Sequence, residues 1–76
     1  MRRLKTISGR ECVKVLCKHF GFKIIRRRGS HIVLGKETLE GSIGTVVPDH
    51  KELRIGTLKG LLEMANILEE EFAEYQ

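Results

Sequence analysis

Apolar residues recur with helical spacing at two places in the chain, and with strand spacing between them. Val13, Leu16, Cys17 and Phe20 stand at i, i+3, i+4 and i+7, which predicts one apolar face of a helix from about Gly9 to His19. Ser8 and Glu11 form an S-x-x-E capping box at its start, and Ile7 with Cys12 suits the hydrophobic staple outside it. Gly21 follows the last periodic residue, where a left-handed conformation costs glycine little. Leu58, Leu61, Leu62 and Ala65 repeat the same spacing, with Thr57 as the expected cap and Asn66 as a left-handed end. The closing "LEEEFAEYQ" predicts a short acidic helix.

Between the helices lie "FKIIRRR" and "HIVLG", both rich in β-branched residues and joined by Gly29 and Ser30. Gly-Ser suits a two-residue type II′ hairpin loop, with glycine taking the positive φ. This register pairs Arg28 with His31 on one face. It puts Ile32 and Leu34 on the opposite, core face, with Ile25 across from Leu34. The alternation in the first strand is imperfect, because Phe22 and Ile24 fall on the histidine's side. "KETLEG" reads as a polar connection, "SIGTVVP" as a third strand closed by Pro48, and "DHKELRIG" as a loop. The order α-β-β-β-α predicts an α+β fold, a three-stranded antiparallel sheet with both helices packed on one face and the other face open. That is the order of the double-stranded-RNA-binding-domain-like fold.

The 76 residues suggest one small domain, residues 1–76, with a modest core and a shallow surface site rather than an enclosed one. "MRRLKTISGRE" has a basic start without an apolar segment behind it, and no apolar run approaches the ~20 residues of a membrane helix. The expected compartment is therefore the cytoplasm, with no membrane partner. Cys12 and Cys17 lie five apart in one helix, roughly 140° around its axis, and read as small apolar residues rather than a disulfide. No metal-ligand spacing is present, so neither a metal nor a cofactor is expected.

Charge changes the picture more than its net value suggests. Residues 1–36 carry eleven Lys or Arg against the single acid Glu11, giving +10, whereas residues 37–76 carry three against nine, giving −6. Such a basic half attracts a polyanion, and nucleic acid is the expected class. Within it, "RRRGSH" puts His31 at the start of the second strand beside Arg26, Arg27 and Arg28. Imidazole, with an ordinary pKa of about 6.5, is the side chain best suited to moving protons at neutral pH. RNA can be cut without metal when a base takes the proton of a ribose 2′-OH and an acid protonates the leaving 5′-oxygen. The arginines suit phosphate positioning rather than base reading. Ser30 is a turn residue whose hydroxyl adds a candidate phosphate contact, and Lys36 is a candidate backbone contact at the strand's end. His50 is the second candidate proton carrier, while His19, at the end of the first helix, reads as structural. A lone histidine does not by itself make a nuclease, and a non-catalytic RNA-binding module is the alternative.

The segments "SGRECVKVLCKHFGFKIIRRRGSHIVL", "VVPDHKEL" and "GTLKGLLEMANILEEEF" together resemble the HicA family of bacterial and archaeal toxins. The specific parts are "GFKIIRRRGSH", the P-x-H of Pro48 to His50, and "GTL" opening the last main helix. The chain departs at Asn66, where the family often has glycine. The resemblance implies a small metal-independent endoribonuclease, an mRNA interferase, with a double-stranded-RNA-binding-like fold. It also implies a HicB-like antitoxin partner and a catalytic histidine in the G-S-H motif, which falls on His31.

Overall fold

The computed structural model describes residues 2–76. Its order is α1 (Gly9–His19), β1 (Lys23–Arg28), β2 (His31–Thr38), β3 (Gly41–Pro48), α2 (Ile55–Met64) and α3 (Glu69–Ala73). The strands form one antiparallel sheet in the order β1-β2-β3. Ile32, Leu34, Thr45 and Val47 point from it into a core completed by Cys12 and Leu16 of α1, Leu58, Leu61 and Leu62 of α2, and Phe72 of α3. The helices thus cover one face of the sheet, and the fold is α+β of the double-stranded-RNA-binding-domain type. Among the described residues no helix is long and apolar enough to cross a membrane.

Most local signals act as their chemistry demands, and the capping box at α1 is only half formed. Ser8 Oγ accepts the Glu11 N–H at 3.0 Å, while the Glu11 carboxylate faces Lys14 at 3.8 Å and does not close the capping box. Gly21 takes φ +75° at the end of α1. Asn66 takes φ 59° after α2, and the N–H groups of Asn66 and Ile67 donate to the carbonyls of Glu63 and Leu62, a Schellman ending. The buried face of α1 is rotated toward Cys12 and Val15; Cys17 and Phe20, expected at its centre, are only partly covered. Burial pushes the Cys12 thiol up to about 12, so it remains an inert thiol at neutral pH. Among the described residues Thr45 is the one buried polar side chain of the core, and it is satisfied by donating to the Leu61 carbonyl at 2.7 Å.

Four expectations need correction. Leu34 pairs with Ile24 and not with Ile25, because Ile25 is the extra residue of a bulge between Ile24 and Arg26. One inserted residue reverses the alternation before it, so Phe22 turns into the core at 2 % exposure. Ile25 instead leans over Gly35, and both Ile24 and Ile25 stay exposed at the sheet edge. Second, β2 continues through Lys36, Glu37 and Thr38, which were expected in a connection. The reversal is a tight turn in which Thr38 Oγ1 accepts the Glu40 N–H and donates to the Gly41 carbonyl. Third, α2 starts at Ile55 after Arg54, not at Thr57, and no side chain caps it. An isolated bridge between Ile7 and Leu53 fixes the preceding chain, and the Leu58 N–H already bonds to the Arg54 carbonyl. Fourth, the expected loop at 49–56 supplies Leu53 to the core at 1 % exposure.

Candidate functional site

The loop Gly29–Ser30 builds the site. Gly29 takes φ +57° and Ser30 does not share the positive φ, as a type II′ turn requires. Arg28 and His31 are therefore cross-strand partners, and directly opposed residues share a face with Cβ atoms about 5 Å apart. On its other side His31 pairs with Pro48 of β3. The next row on this face is Arg26, Val33 and Val46, about 7 Å along the strands. His31, Arg26 and Arg28 are exposed, and the two valines between them are half-buried. The uncovered face of the sheet thus carries an accessible imidazole at one end, flanked by two guanidiniums.

Arg27 belongs to the opposite face, paired with Ile32, and its guanidinium donates to the Asp49 carboxylate. Ser30 is exposed in the turn, and its carbonyl accepts the Asp49 N–H at 2.6 Å. His50 is exposed as well. Its carbonyl accepts the Gly9 N–H at 2.8 Å, and the residue borders a concavity of about 480 Å³ with Ser8, Arg10, Asp49 and Lys51. Lys36 is not brought to His31. It lies five residues along β2, roughly 16 Å away, on the helix side. Its ammonium donates to the Phe20 carbonyl at 3.1 Å and sits 5.1 Å from the centre of the Phe22 ring. His19 stacks on Tyr75 with ring centres 3.9 Å apart, which gives it a packing role.

Asp49 escaped the sequence reading. It is the centre of an ion cluster with Arg27 and with Arg10, whose Nε lies 3.6 Å from Oδ1. Its only trace in the chain is an acid inside the P-x-H segment, facing a strongly basic half. Among the described residues no three His, Cys, Asp or Glu side chains gather as a metal site.

No curated protein and no solved structure matches the chain. Residues 9–67 match the family described as the HicA toxin of bacterial toxin-antitoxin systems, a span that runs from the first residue of α1 to just past the end of α2 and contains the G-S-H turn, the P-x-H segment and the whole sheet. With most of its length matched and its fold as that family requires, the chain belongs to the HicA toxins of bacterial toxin–antitoxin systems.

Proposed function

We propose that this toxin is an endoribonuclease, acting chiefly on mRNA, in which His31 carries a proton during cleavage. The observation that carries the reading is an exposed imidazole paired across the hairpin with Arg28, at the end of an open cationic sheet face. In the reaction a base removes the 2′-OH proton and the 2′-oxygen attacks the adjacent phosphorus. The P–O5′ bond breaks, and an acid returns a proton to the 5′-oxygen. His31 serves as one of these groups, and His50 is the candidate for the other. Arg26 and Arg28 hold the phosphate and stabilise the charge that builds on its oxygens. Purified protein incubated with RNA in EDTA should release fragments with 2′,3′-cyclic phosphate and 5′-hydroxyl ends, and RNA with 2′-deoxy sugars at the cut positions should stay whole. Fragments with 3′-hydroxyl ends, or cleavage abolished by EDTA, would contradict this chemistry. RNA that is bound but never cut would favour the RNA-binding module.

Binding should depend on salt through the same face. Arg26→Ala and Arg28→Ala should each reduce the log–log salt slope by about 0.7–0.9, for all RNA sequences alike. Adding Arg27→Ala should change it less, because Asp49 already neutralises that guanidinium. A slope unchanged in the triple variant would make the arginine run a merely solvated surface.

The antitoxin partner that belongs to such a system would be HicB-like and cover the open face around His31. Acidic or polar groups on it would complement the +10 half and speed association. Inhibition should then be by occlusion. In the complex, His31 should lose solvent access while the toxin keeps its circular dichroism spectrum, and an antitoxin that blocks cleavage while leaving His31 open to chemical modification would refute occlusion.

A further inference from the structure

We propose that Asp49 is a positioning residue for His31, and that it also sets how many cations the site offers to RNA; this rests on the reading of His31 as a proton carrier. The turn that delivers His31 is bare: a Cβ at Gly29 would meet nothing within 4 Å. Its geometry therefore depends on its anchors, and beyond the ladder bonds of the sheet three of them converge on Asp49. The Asp49 N–H holds the Ser30 carbonyl, one residue before the histidine. The Asp49 carboxylate holds Arg27, one residue before the histidine's cross-strand partner. The same carboxylate reaches Arg10 in the first turn of α1.

That helix start is itself seated against β3. The Gly9 N–H bonds to the His50 carbonyl, and a Cβ at Gly9 would overlap the Pro48 carbonyl oxygen. The end of β1, the end of β3 and the start of α1 thus form one frame around the turn, with Asp49 where they meet. The side chain of Asp49 is 13 % exposed, against 54 % for Arg27 and 80 % for Arg10. Reduced solvation strengthens a charge-assisted bond, so the inner end of this cluster is its rigid end. Rigidity matters because a reacting group misplaced by about 1 Å can cost roughly 10²-fold in rate.

The second consequence is electrostatic. Arg10, on α1, and Arg27, on the helix side of β1, are engaged by the carboxylate, whereas Arg26 and Arg28, on the open face, form no ion pair among the described residues. Removing the charge of Asp49 releases two guanidiniums toward phosphate. A loosened turn and a more adhesive surface then appear together.

The test is Asp49→Asn in the full chain. Its kcat should fall about 10–100-fold with KM unchanged or lower. Its log–log salt slope for RNA binding should steepen by about 0.7 for each guanidinium that finds a phosphate. Arg27→Met removes the β1 anchor without freeing a cation, so it should lower kcat without steepening the slope. Amide hydrogen exchange at Gly29, Ser30 and His31 should quicken in both variants. Asp49→Glu, which keeps the charge, should return the slope to the wild-type value. A folded Asp49→Asn protein with wild-type kcat, slope and turn exchange overturns the proposal. Should Asp49→Asn fail to fold, Arg27→Met and Asp49→Glu decide it by the same readouts. Should the wild type cut no RNA, the reading of His31 falls by itself, and the slope and turn exchange still support or overturn the clamp.

Discussion

His31→Ala is expected to lower RNA cleavage by about 10²–10⁴-fold, the usual loss when a general acid or base is removed. Two features make the effect one of chemistry rather than of folding. The imidazole is exposed at the first residue of β2, so its loss opens no cavity in the core. The hairpin around it is held by backbone bonds and by Asp49, and neither uses the ring. The variant should therefore keep its thermal midpoint and its affinity for RNA while losing turnover. RNA binding by Arg26 and Arg28 should persist with an unchanged salt slope. A variant that still cuts at the wild-type rate removes His31 from the reaction, and one that loses affinity in step with rate makes it a binding residue.

Phe72→Ala is the corresponding test of the fold, with an expected cost of about 3–5 kcal/mol, the range for truncating a buried phenylalanine. Phe72 is fully buried and stacks with Phe20 at a ring-centre distance of 6.2 Å. A chain of this length has a total stability of only about 4–11 kcal/mol, so one substitution removes a large share of it. The thermal midpoint should drop by on the order of 20 °C. Phe72→Leu, which keeps most of the volume, should cost far less. The choice of residue matters because α3 has only five residues and three consecutive glutamates, so it has little helical stability of its own. A midpoint within about 2 °C of wild type would mean that α3 is an appendage and not a wall of the core.

The two variants also separate the two halves of the molecule. Three of the nine acids of the second half, Glu69, Glu70 and Glu71, stand together in α3, on the side of the helices. The cations that matter to RNA stand on the other side, on the uncovered face. One ring anchors the acidic helix, and one imidazole marks the basic face. Loss of the first should reach activity only through unfolding, and should be relieved by lower temperature. Loss of the second should be insensitive to temperature.

What the sequence determined by itself is what short-range physics decides. Ser8 caps its own helix three residues on, Gly21 and Asn66 end theirs because they tolerate φ above zero, and a two-residue loop with glycine first forces Arg28 against His31. Element order and the face of the histidine followed, and with them the fold class and the candidate site. The tertiary structure decided what depends on distant partners. The bulge at Ile25 exists because Phe22 gains more by entering the core than regular pairing would return, and no pattern within β1 reveals that gain. The start of α2 is set by Leu53 meeting Ile7, forty-six residues earlier in the chain. Phe72 looked like one apolar residue in an acidic tail until the helices left a space for it. Strand alternation already puts Arg27 on the helix side in the sequence, but the groups that engage Arg27 and Lys36 there, Asp49 and Phe20, are supplied by packing. Charge is written in the chain, whereas the partner that engages it is chosen by packing. Asp49 therefore shows its role only where β1, β3 and α1 meet.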